Sequence, residues 1–94
     1  MSFDNIHNYY ETMVITRLND MVKAEFIKSD PQFLEDVACV ALNQLPARYI
    51  KHDIDMLYFM TIDEREKIEY DIHRAVNAAI EYVTQNRSQR VGNQ

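Results

Sequence analysis

Glycine is almost absent from this chain: Gly92 is the only one in 94 residues. A phosphate-cradling loop and a nucleophile elbow both need glycine where the backbone turns sharply or approaches a ligand closely, so neither is built here. Serine is nearly as scarce. Ser2, Ser29 and Ser88 fall at the start, at a helix cap and near the end, and none stands beside a histidine that would activate it. With a single cysteine, Cys39, an internal disulfide is excluded. Cys39 lies in the apolar run VACVAL, which predicts a buried, inert thiol in a reducing compartment rather than a redox group or a zinc ligand. These absences predict a protein that is not an enzyme.

Positive charge is also in short supply. A net charge of −5 argues against general binding to nucleic acid or to anionic membranes, since both need an excess of Lys and Arg to neutralise phosphates. No stretch approaches the ~20 apolar residues that cross a bilayer. The opening MSFDNIHNYYE has neither a basic leader nor an apolar signal core. The expectation is a soluble, cytoplasmic protein.

Acidic residues are missing in one place: none occurs between Asp36 and Asp53, and that gap holds Arg48, Lys51 and His52. A small anion finds its best local field there. Tyr49 sits between the two cations, and an aromatic ring beside paired positive charges suits a nucleotide, by stacking and phosphate pairing together.

What is present is helical pattern. Ile6, Tyr10, Met13, Val14, Leu18, Met21 and Val22 recur at helical spacing, which predicts a first helix over about 8–27, capped by Asp4 or Asn5. Asp30 followed by Pro31 is a helix start. Leu34, Val37, Ala38, Ala41, Leu42 and Leu45 continue it over 31–45, with Glu35 and Asp36 near the positive end of its dipole, until Pro46 restricts the residue before it. In TIDE, Thr61 and Glu64 form a capping box, and Ile62, Ile68, Ile72, Ala75, Val76, Ala79 and Val83 carry a third helix over 62–85. The remaining RSQRVGNQ reads as a tail, giving one domain over 1–94, ordered over about 4–86 and flexible over 87–94.

Between the second and third helices, LPARYIKHDIDMLYFM lacks helical pattern at its start. A strand over 48–54 is expected, while DIDMLYFM fits either a strand or a helical turn. Tyr10 and Tyr58 read as core or interface residues. Glu69 and His73, four apart, read as a solvated helix face, and His52, Asp53 and Asp55 as a grouping common by chance, so no metal is expected. The fold class is mostly α: a small three-helix core with one short extended segment. A domain this small has a marginal core, and the apolar run MLYFM, with Leu57 and Phe59, gives it a reason to form a homodimer.

The motif LEDVACVALNQLPARYIKHDIDMLYFM, with NYYETMVITRL upstream, resembles the ComFB family of late competence development proteins. The most specific part is ALNxLPxRY, here Ala41, Leu42, Asn43, Leu45, Pro46, Arg48 and Tyr49. The resemblance implies a mostly helical, homodimeric regulatory protein without catalytic activity, in some members a receptor for cyclic di-GMP that signals to a partner protein. Some relatives carry a cysteine cluster between the first two helices, suited to zinc. This chain has no cysteine there, so zinc is not carried over. The expected ligand-binding residues are Asn43, Arg48, Tyr49, Lys51, His52 and Asp53. Arg48 suits either a phosphate or a guanine edge, Lys51 a phosphate and Tyr49 a stacked base. Asp53 or Asp55 suits guanine N–H groups. The alternative is an adaptor homodimer with no nucleotide ligand, in competence- or pilus-related regulation.

Overall fold

Val14, Val37 and Val76 are fully buried, and each comes from a different helix. The computed structural model describes residues 6–51 and 60–92, with 88–92 by their backbone alone. Its helices are α1 (Tyr9–Lys23), α2 (Pro31–Asn43) and α3 (Ile62–Gly92), and two short strands, β1 (His7–Asn8) and β2 (Tyr49–Ile50), complete it.

α1 buries Tyr10, Val14 and Leu18, a four-residue spacing that keeps one stripe inward. Its cap is Asn8, whose side chain accepts from the Tyr10 N–H, rather than Asp4 or Asn5, which lie outside the described residues. The helix also stops short of the expected 27. Glu25 takes a left-handed conformation, φ 63°. The Phe26 N–H donates to Met21 O at 2.9 Å and the Glu25 N–H to Val22 O at 3.0 Å, the bond pair of a Schellman stop. The reversal returns Ile27 to pack against the core.

α2 starts as expected. Asp30 accepts from the N–H groups of Gln32 and Phe33, and Pro31 occupies the first turn. It ends at Asn43 instead of 45, because the Gln44 and Leu45 N–H groups bond to Ala41 O and Leu42 O, tightening the last turn ahead of Pro46. Val37 and Ala41 face the core. Cys39, two residues from each, points to the opposite side of the helix and is exposed, so the expected burial of this thiol is corrected. An apolar run does not say which of its members face inward; a rotation of 100° per residue does.

At α3 the capping box forms: the Glu64 N–H donates to Thr61 Oγ1 at 3.1 Å and the Thr61 N–H to Glu64 Oε2 at 3.4 Å. Ile68, Ile72, Ala75, Val76, Ala79 and Val83 are buried, whereas Ile62, expected on the same stripe, is 76% exposed at the first turn. The helix does not end near 85 but runs to Gly92, with no proline or glycine to break it earlier. Arg87, expected in the flexible tail, anchors it. Its guanidinium meets Asp30 Oδ2 at 3.0 Å and Asp36 Oδ2 at 3.6 Å and lies 5.2 Å from the Phe33 ring centre.

β1 and β2 pair antiparallel, His7 opposite Ile50 and Asn8 opposite Tyr49. Of the strand expected over 48–54, Tyr49–Ile50 forms and Arg48 and Lys51 stand outside it; residues 52–54 lie outside the described residues, as do Asp55, Leu57, Tyr58 and Phe59.

Candidate functional site

The connector after α2 is held from behind by the start of the chain. Asn8 Oδ1 accepts from the Arg48 N–H at 3.0 Å and also from the Tyr10 N–H at 3.2 Å. The Tyr9 N–H donates to Arg48 O at 2.7 Å. Arg48 therefore has both of its backbone polar groups bonded, and its position follows α1 as a unit. Its side chain is exposed.

Tyr49 follows with 69% of its surface exposed, and Lys51 is exposed as well. Arg48, Tyr49 and Lys51 thus lie exposed on one short, backbone-anchored run, and its extended backbone alternates their faces, Tyr49 and Lys51 on one and Arg48 on the other. His52 and Asp53 lie outside the described residues. Asn43 is set apart from this run. It closes α2, is exposed, and its Nδ2 approaches Cys39 Sγ at 3.9 Å. It lines a cleft of about 460 Å³ with Val40, Gln44, Ala78, Ala79 and Tyr82. A second cleft of about 440 Å³ adjoins it, lined among others by Leu45, Pro46, Asp71 and Arg74. Neither includes Arg48, Tyr49 or Lys51.

The stretch without acidic residues in sequence has an acidic neighbour in space. Burial pushes the Tyr10 hydroxyl pKa up, the Asp71 carboxylate adds to the rise, and the Arg48 guanidinium opposes it. Arg48 and Asp71 therefore act on the same phenol, and α3 contributes a carboxylate to the surroundings of the connector. Asp71 was not legible beforehand, since it is brought there by helix packing. Asn8 left a signal: NYYE places Glu11 three residues after it, the spacing of a helix start. Glu69, four residues before His73, forms an ion pair with Arg65 at 3.4 Å.

A family model described as late competence development protein ComFB matches residues 7–87. The chain belongs to the ComFB family. The match opens at His7 in β1 and closes at Arg87, the residue that ties α3 to α2. ComFB membership points to a competence-related regulatory protein. Comparison with curated proteins and with solved structures gives no significant match. Among the described residues, no helix is long and apolar enough to cross a membrane.

Proposed function

We propose that this ComFB-family chain is a non-catalytic cytoplasmic receptor for cyclic di-GMP, acting through a homodimer on a partner protein. The observation that carries the reading is the fixed backbone of Arg48 beneath an exposed side chain. A binding residue whose backbone is already ordered loses less conformational freedom when ligand arrives. Arg48 offers a planar fork to a phosphate or to guanine O6 and N7, which a lysine cannot match. Lys51 offers a point charge to a phosphate. The open Tyr49 ring offers a stacking face for a base, while His52 and Asp53 complete the proposed set, and Asn43, which lines the separate cleft beside Tyr82, is left out of it.

Calorimetric titration tests this. Cyclic di-GMP should give saturable heat, GMP should not, and the nucleotide should be recovered unchanged. Consumption of the nucleotide would instead indicate an enzyme. A second reading, an adaptor homodimer without a nucleotide ligand, is favoured by the apolar cleft beside Tyr82. Absence of heat with any cyclic dinucleotide, together with dimerisation, would select it.

A further inference from the structure

We infer that Asp71 of α3 selects the base of the ligand: its carboxylate accepts from the N1–H and N2–H of one guanine of cyclic di-GMP, seated in the cleft between α3 and the start of the connector. This rests on the receptor reading above and adds to it a specificity-determining residue. From the sequence alone that role suits Asp53 or Asp55; Asp71 reaches the connector through the packing of α3.

The first reason is a carboxylate without a partner. Among the described residues only two acidic side chains are half-buried, Asp30 and Asp71. Asp30 caps α2 and is bonded to Arg87. Asp71 makes no hydrogen bond or ion pair with a described residue, and Arg74, one turn further on, does not pair with it. A carboxylate partly withdrawn from water with nothing bonded to it is costly, and donors that arrive with a ligand offset that cost. The acids lining the other clefts differ. Asp36 is paired with Arg87, Glu69 with Arg65, and Asp20 is exposed.

The second is position. Asp71 lines a cleft of about 440 Å³ with Leu45, Pro46, Arg74, Ala75 and Ala78, a size that suits a small ligand. Leu45 and Pro46 offer apolar contact to the face of a base, and the two alanines leave room for a flat ring. Pro46 precedes Arg48 by two residues, at most about 7 Å of chain. A base in the cleft and a phosphate at Arg48 therefore fit one dinucleotide. Tyr10 links the two, since its hydroxyl feels both the Asp71 and the Arg48 charge.

The third is chemistry. Guanine presents N1–H and N2–H side by side, and an ionised carboxylate has two acceptor oxygens and no donor. Adenine places an acceptor, N1, where guanine has a donor, so the same carboxylate repels it. Arg74 on the cleft and Arg48 on the connector offset the repulsion between Asp71 and the ligand phosphates.

Calorimetric titration of cyclic di-GMP and cyclic di-AMP into the full chain tests the assignment, with wild type, Asp71→Ala and Asp71→Asn, and circular dichroism to verify folding. Wild type should prefer cyclic di-GMP. Asp71→Ala should bind it about ten- to a hundredfold more weakly without weakening cyclic di-AMP. Asp71→Asn, which keeps the shape of the side chain and offers adenine both a donor and an acceptor, should narrow the preference in the same direction. A wild type that gives no heat with cyclic di-GMP overturns the receptor reading and this assignment together. A wild type that binds cyclic di-GMP while the folded Asp71 variants bind and discriminate as it does overturns the assignment alone. Equal binding of both nucleotides by wild type, or equal loss of both in the variants, overturns it in the same way.

Discussion

Asn8 and Arg48, forty positions apart, are joined by a hydrogen bond of 3.0 Å from the Arg48 N–H to Asn8 Oδ1. The same oxygen caps α1 through the Tyr10 N–H. One side chain therefore starts a helix and fixes the place from which the proposed ligand-binding run departs.

Asn8→Ala should cost about 0.5–2 kcal/mol for the cap and a further ~1 kcal/mol for the Arg48 bond, read from urea unfolding. Asn8→Asp keeps an acceptor for both N–H groups and should stay close to wild type. In hydrogen exchange, the Arg48 amide should lose protection in Asn8→Ala and keep it in Asn8→Asp. Equal stability of all three proteins would show that the bond carries no weight.

Glu25 occupies a left-handed position that the chain fills without glycine. A residue with a Cβ there is held at a cost of about 1–2 kcal/mol. Glu25→Gly should raise the urea midpoint by relieving it, partly offset by the greater freedom of glycine in the unfolded chain, and Glu25→Val should lower it. If both substitutions destabilise, something other than backbone strain governs this turn.

Asp30 caps α2 with one oxygen and meets Arg87 with the other. The Arg87 hydrogen bond, ahead of the cap bonds, holds its pKa below the ordinary 3.8. A carboxylate with a depressed folded pKa contributes stability that is fully present above its unfolded value and is lost as pH falls through the folded one. Wild type should therefore lose stability more steeply below about pH 4 than Asp30→Asn, which keeps the cap but cannot titrate. Since both partners are partly exposed, the difference should shrink in high salt. Identical acid limbs would remove Asp30 from the account.

Local chemistry was legible in the sequence and rotation about a helix was less so. SDP and TIDE gave true helix starts because each cap is a bond between neighbours. The stop at Glu25 was not visible, because Ala24 and Glu25 are good helix formers and the return of Ile27 to the core ends the helix. The apolar run VACVAL suggests a buried Cys39, whereas the helical spacing of the buried Val37 and Ala41 turns it to the exposed side. The helix beyond 85 looked like a tail because Arg87 finds its partner 57 residues away in sequence. For the candidate site, the cation and aromatic residues were legible as a cluster of types. Their separation from Asn43, and the proximity of Asp71 to Tyr10, come from the packing of α3 against α1 and α2.

Calorimetric titration of cyclic di-GMP into wild type and Arg48→Ala tests the central claim most directly. Wild type should give saturable heat, and Arg48→Ala, whose side chain is exposed and contributes little to folding, should bind about ten- to a hundredfold more weakly through loss of a charged hydrogen bond worth about 1.5–3 kcal/mol. Heat that is absent at high micromolar ligand, or equal affinity in the two proteins, would contradict a receptor site at the Arg48 connector.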